Sequence, residues 1–382
     1  MRIVYCSTPP FADCDLPLIR AFCKAGHIVD YFLHIAPYSR KSTYVEIEKL
    51  KDEWGILPVS AYPELERLAQ SIPGVSVHIV NNPVGKNNLQ ALLLSIKERR
   101  MISRLNPDVV HYVESPAPFH LPMLWRNRSR AVCVIHDPVP HLNRMKRIEF
   151  VCRRLASMML DKFILLSNRQ TDEFCRQFRV SPGKVYFSAL GPYEMPETFR
   201  GENRNPYGKY ILMFGRITPY KGIDKGIALI DRISKDFKEV SLVIAGSGDL
   251  YFDSSLVEGK PYIRLIHRYI PVEEQYDLVS NAQFVLCPYT EATQSGVVQT
   301  ALGLGVPAVV TDVGALSDAV TDGKNGLVVP PQNTTALEQA VRTLLEKPET
   351  LARMREYIQN DNSSGEHSWT RIAEKYIEIY HA

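Results

Sequence analysis

Long apolar runs are missing from this chain. No segment approaches the roughly 20 consecutive apolar residues that would cross a bilayer. The opening RIVYC reads as a buried first strand, because no apolar stretch of signal length follows it. Paired cysteines are missing as well. The seven cysteines (Cys6, Cys14, Cys23, Cys133, Cys152, Cys175 and Cys287) are odd in number and form no C-x-x-C. Cys133 and Cys287 fall inside apolar strand patterns, so reduced core thiols in a cytoplasmic protein are expected, not disulfides or zinc. No Asp-x-Asp pair falls in a plausible loop, so no metal is expected. Aromatic residues are not interleaved with the basic clusters and no recognition motif appears, which argues against nucleic acid.

The composition that remains is ordinary: 382 residues, 45% hydrophobic and 23% charged. That length suits two domains, each able to bury its own core. The net charge of +3 hides an asymmetry. Residues 1–190 hold 26 Lys and Arg against 17 Asp and Glu, a surplus of nine; the remainder holds 19 against 25, a deficit of six. The basic clusters include KERRMISR (97–104), RNRSR (126–130) and NRMKRIEFVCRR (143–154). Such clusters are usually solvated helix faces, but three in one domain also fit contact with anionic lipid or an anionic acceptor.

Apolar runs and helical patterns alternate from RIVYC through HIVDYFL, VSVHIV, DVVHYV and AVCVIHD to KFILLS. Repeated strand–helix–strand order implies a mostly parallel sheet covered on both faces. Residues 1–190 are therefore read as one α/β domain. The stretch 191–209 is rich in Pro, Gly and polar residues and reads as a linker. A second series, ILMF, SLVIA, IRLI, FVLCPY, PAVVT and GLVVP, builds another domain over 210–367. The final SWTRIAEKYIEIYHA (368–382) has helical spacing.

The segment Tyr210 to Asp249 carries the strongest functional signal. A buried strand ends in Gly215-Arg216, Lys221-Gly222 follows before a helix, and a second strand ends in Gly246-Ser247-Gly248. Strands that stop at glycine and feed helices place backbone N–H groups at the carboxyl edge of a parallel sheet, where phosphate binds. A guanidinium and an ammonium nearby suit a ligand with two or more negative charges, such as a nucleotide diphosphate. This ordered string resembles the family 4 retaining glycosyltransferases. The resemblance is strongest over 209–345 and looser over the first 190 residues. It implies the GT-B fold, two Rossmann-like domains facing a cleft, with the last helix crossing back onto the first domain.

The resemblance also implies a nucleotide diphosphate sugar as donor. Arg216 and Lys221 would replace a metal at the pyrophosphate. The helix after Thr293-Gln294-Ser295-Gly296 would form the other wall, with Ser295 as cap and the amides of Ser295, Gly296 and Val297 turned to the ligand. His136, at the end of AVCVIHD, would sit beside the sugar. The family usually carries two glutamates eight positions apart. Aligned on Ala301, Gly305 and Pro307, those positions fall here on Ala292 and Thr300. Glu291 lies one residue early, with Gln299 eight positions after it. The string TQSGV resembles a branch of bacterial surface polysaccharide enzymes in which this pattern is also eroded. Glu291 is then a weaker sugar contact and Thr300 a ribose contact. The loop STPPFAD lacks the glycines common in the family, and Pro9 and Pro10 stiffen it. Asp13, Asp15, His111 and Glu114 are acceptor-side candidates.

The expected protein is a cytoplasmic, metal-independent, retaining transferase, possible at the inner face of the membrane. It would move a hexose-type sugar to a hydroxyl of a glycan or lipid-linked glycan. Two rivals stand beside it: a GT-B epimerase or phosphorylase, and a non-catalytic partner that binds nucleotide sugar without turnover.

Overall fold

The structure is a computed structural model. It describes the chain except at 44, 71, 86–88, 115–127, 139–146, 196–199, 203 and 293, and the side chains at 67–68, 128 and 147–148. Two compact units emerge: Met1–Ala189 with Trp369–Ala382, and Leu190–Ser368.

The first unit runs β1 (Arg2–Ser7), α1 (Ala12–Lys24), β2 (Ile28–Ile35), β3 (Gly55–Pro58), α2 (Pro63–Gln70), β4 (Val75–Asn81), α3 (Leu89–Leu105) and β5 (Val109–Val113). It continues through β6 (Ala131–Ile135), α4 (Arg147–Met159), β7 (Lys162–Leu165), α5 (Thr171–Phe178) and β8 (Val185–Phe187). The sheet order is β3-β4-β2-β1-β5-β6-β7-β8, parallel except for the edge strand β3, which pairs antiparallel with β4. Strands β5 and β6 are buried along their whole length, as central parallel strands must be. Helices α3, α4 and α5 share one face of the sheet: Leu94, Ile102, Ala156, Phe174 and Phe178 close over Phe32, Val110 and Cys133.

The second unit holds β9 (Lys209–Phe214), α6 (Ile223–Ile233), β10 (Val240–Gly246), β11 (Ile263–His267), α7 (Val272–Ser280), β12 (Val285–Cys287) and α8 (Gly296–Gly303). It ends with β13 (Ala308–Thr311), β14 (Gly326–Val329), α9 (Thr334–Glu346) and α10 (Pro348–Ser364). Its sheet order, β11-β10-β9-β12-β13-β14, is parallel throughout. Numbered within the unit this is 3-2-1-4-5-6, the doubly wound Rossmann order. Connections leave in opposite directions from β9 and β12, so a crevice opens at their carboxyl ends.

The stretch read as a linker begins inside this second unit. The Tyr193 amide donates to the Gln299 carbonyl of α8 (3.1 Å), and Gly303 lies against the Tyr193 backbone. The last helix, α11 (Trp369–His381), belongs to the first unit and packs on α1. Among the described residues no helix is long and apolar enough to cross a membrane.

Candidate active site

At the switch point of the second unit, the loop after β9 turns at Gly215, whose φ of +94° is open to glycine but strained for other residues. Lys221 closes the next turn. Its side chain is buried; a Cβ built on Gly215 would stand 2.6 Å from Nζ and 3.2 Å from a Val297 methyl. The structure thus brings Gly215, Lys221 and the start of α8 together. The Lys221 ammonium donates to the Phe214 carbonyl (3.3 Å) and lies 5.8 Å from the centre of the Tyr289 ring. No described carboxylate pairs with it. Burial pulls its pKa down to about 8, opposed by Cys287 and assisted by the Arg216 charge. A small pocket lined by Phe214, Gly215, Lys221, Ala245 and Tyr289 remains at this edge. Arg216 is exposed and forms no ion pair among the described residues.

The two helix starts at this edge differ. At α6 the first amide, that of Ile223, already donates to the Tyr251 hydroxyl (2.7 Å), which is also bonded to Asp224. At α8, Ser295 caps the helix by accepting from the Val298 amide (3.4 Å). The amides of Gly296 and Val297 belong to the unpaired first turn, and no described residue accepts from them. Gly296 is exposed. Thus α8 offers donors to an anion where α6 is plugged.

Several residues expected to touch donor are otherwise engaged. The Gly215 amide donates to the Ala245 carbonyl (2.9 Å) and the Ile217 amide to the Ser247 carbonyl (2.8 Å), extending the ladder past the strand ends. A Cβ at Gly246 would collide with the Gly215 carbonyl, and one at Gly248 with the Ile217 carbonyl, so both positions need glycine. These close approaches hold the two loops together. Thr300 is buried and its hydroxyl returns to the Gly296 carbonyl (2.8 Å), so the expected ribose contact gives way to a bond inside the helix. Glu291 is exposed, Gln294 is partly buried, and Thr293 lies outside the described residues.

In the first unit the acceptor-side expectations change more. Asp13 is buried and accepts from the Thr43 amide (3.0 Å). Asp15 is buried under the Tyr5 and Tyr31 hydroxyls (2.8 and 3.2 Å); burial raises its carboxyl to about 7, against the pull of Ser7, Tyr5 and Tyr31. His111 stacks on Tyr5 (4.1 Å) and its Nδ1 meets the Tyr380 hydroxyl of α11 (2.6 Å). Burial, and secondarily His136, depress its pKa to about 3, so it is neutral. These three are core groups beneath the surface. Glu114, at the end of β5, takes a left-handed φ of +63°. Its Oε1 accepts from the consecutive amides of His136 (2.8 Å) and Asp137 (3.2 Å). Arg153 of α4 donates to its Oε2 and to the Asp137 carbonyl, both at 2.6 Å. Glu114 and Arg153 therefore fix the turn that carries His136, whose ring packs on Phe11 (4.6 Å) and lies 4.0 Å from the Cys14 sulfur.

Arg153 and Tyr289 were missed in the sequence. Arg153 sits within the basic run 143–154, yet it falls on the α4 face shared with buried Cys152 and Ala156, a position that excludes a solvated role. Among the described residues one group has the donor chemistry to hold a metal, and it lies elsewhere. Cys6, His34 and Glu98 bring their ligand atoms within 4.8 Å of one another, with His34 Nε2 2.8 Å from Glu98.

Both units match known family models, one each: residues 17–187 match Glycosyltransferase Family 4, and residues 194–361 match Glycosyl transferases group 1. The chain is 27% identical over 210 residues to the alpha-D-kanosaminyltransferase of Streptomyces kanamyceticus, covering 50% of this chain and 53% of that one. It is 26% identical over 351 residues to the D-inositol 3-phosphate glycosyltransferase of Arthrobacter sp. (strain FB24), covering 81% of each. The chain spans 53%, 59% and 64% of the length of the first three curated relatives it matches. Among solved structures, Anabaena Alr3699/HepE in complex with UDP-glucose superposes with a TM-score of 0.62 at 14% identity, covering 100% of this chain and 99% of that one, a likeness of fold. With one model on each Rossmann-like unit, the chain belongs to the family 4 glycosyltransferases of GT-B fold.

Proposed function

We propose that this protein transfers a hexose-type sugar from a nucleotide diphosphate sugar to a hydroxyl of a glycan or lipid-linked glycan, with retention at the anomeric carbon and without a metal at the pyrophosphate. The observation that carries the reading is Lys221: a buried ammonium with no described carboxylate partner, beside the unplugged start of α8 at the β9/β12 switch point. Burying a cation without an anion is unfavourable, so the site is built to receive one. As the sugar leaves, negative charge grows on the β-phosphate. Lys221, Arg216 and the Gly296 and Val297 amides are preorganised to stabilise it. The departing phosphate takes the acceptor proton, so His136 positions the sugar and does not act as base. The TQSGV string supports assignment to surface polysaccharide assembly at the inner face of the membrane.

The second reading, a binding protein without turnover, is favoured by one observation. Neither register supplies a glutamate pair: Thr300 is tied to its own helix, and Gln299 is buried. Mass spectrometry of products from a panel of nucleotide sugars and prenyl-linked acceptors, with and without EDTA, decides between them. Chelator-insensitive glycosylation of the acceptor is expected. Nucleotide binding without product would select the second reading, and EDTA inactivation reversed by magnesium would overturn metal independence.

A further inference from the structure

Helix α4 buries one side and leaves a second apolar stripe outside. Cys152, Arg153, Ala156 and Ser157 face the sheet. On the outer side Val151, Leu155 and Met158 are 49%, 43% and 73% exposed. Their spacing (i, i+4, i+7) places them within roughly 60° of one another on the helix. Single exposed apolar residues are unremarkable, but three aligned on one helix mark a contact surface. Arg154, partly exposed, borders the stripe. On the same face of the sheet, α3 exposes Leu89 and Leu93 in its first turns, followed by exposed Lys97, Arg100 and Arg104.

We propose that the outer face of α4 docks on an anionic lipid bilayer, with Val151, Leu155 and Met158 inserted at the interface and the basic side chains among the headgroups. Charge selects this occupant. The first unit carries the chain's surplus of nine positive charges, while the rest of the chain is acidic. An apolar stripe bordered by arginine on a strongly basic unit is the pattern of an interfacial helix. Position gives the docking a use. Helix α4 follows β6, so it descends from the carboxyl edge that carries His136. A bilayer against it holds a lipid-linked acceptor near that edge. Only this use rests on the transferase reading.

The test is co-sedimentation of the full chain with vesicles of phosphatidylcholine alone or mixed with phosphatidylglycerol. No sugar donor is present, so the result is independent of turnover. Binding to the mixed vesicles is expected, falling as salt is raised. Replacing Val151, Leu155 and Met158 together with serine should weaken it roughly tenfold or more while the circular dichroism spectrum and thermal transition persist. Equal or absent binding of the wild type to both vesicle types at low salt overturns the proposal. So does undiminished binding by the folded triple variant, which leaves the basic charge alone responsible. A wild-type dimer that the triple variant converts to monomer overturns it too, because a second copy then covers the stripe.

Discussion

Lys221→Met separates what Lys221 does for the fold from what it does for a ligand. Burial lowers the ammonium from the ordinary 10.5 to about 8. At pH 7, below both values, the folded protein carries the full cost of a buried charge. That difference corresponds to about 3 kcal/mol as an upper limit. Methionine keeps the unbranched stem and fills the same space beside Tyr289, so the variant should gain stability. For a unit of this size the gain is roughly 6–12 °C in Tm. The pH dependence has a definite sign. The folded pKa lies below the unfolded one, so wild-type stability is lost as pH falls through it and recovers between about 8 and 10.5. The variant lacks that recovery. Nucleotide affinity should move the other way. Removing one charge-assisted contact to phosphate costs roughly 1.5–3 kcal/mol, a ten- to hundredfold weaker Kd. Differential scanning calorimetry gives the first quantity, and titration calorimetry with uridine, guanosine and adenosine diphosphates gives the second. A variant that is less stable and binds nucleotide unchanged would refute the argument, leaving Lys221 as a tie for the Phe214 carbonyl.

Gly296→Val should lower turnover by orders of magnitude while the protein still folds, because the new Cβ meets only the Tyr193 ring, at 3.2 Å, and the side chain covers the helix-start amides. Glu291→Ala should cost much less; normal turnover per folded Gly296→Val molecule in a radiolabelled transfer assay would remove α8 from the site. Asp15, raised by burial, binds its proton more tightly folded than unfolded, so wild-type stability should decline as pH rises from about 4 to about 7, by up to about 4 kcal/mol. Asp15→Asn should flatten that decline in denaturant titrations, and parallel curves would count against it. Arg153→Ala should reduce kcat with little change in nucleotide Kd, since it releases the His136 turn in the other unit, and Arg153→Lys should restore part of the loss. A change in Kd equal to that in kcat would point to general unfolding.

The sheets were legible because buried parallel strands are continuous apolar runs: VVHYV and AVCVI can hardly be anything else. The short edge strands GILP and VYF were not, since four or three residues carry no periodicity. Gly215 and Lys221 read as a phosphate-type loop, but the sequence could not say that the Gly215 and Ile217 amides are kept for the Ala245 and Ser247 carbonyls. Gly246 and Gly248 read as open turns when their lack of a side chain in fact admits a neighbouring backbone. His111 and Glu114 end a strand, as ligand groups do, and only the third dimension reveals that α11 covers the one and Arg153 binds the other. Long-range partners of this kind leave no local trace.

Helix α11 also sets an order of events during synthesis. Tyr376 and Tyr380 cover Phe22 and His111, and Lys162 donates to the Tyr380 carbonyl (2.9 Å), so the first unit is finished by residues made after the whole second unit. At ribosomal rates of roughly 5–20 residues per second, the intervening unit takes on the order of ten seconds or more to emerge. Throughout that interval the N-terminal sheet exists without its final helix. The second unit, contiguous from Leu190 to Ser368, can complete itself meanwhile. The second unit can therefore close while the first still lacks Trp369–Ala382.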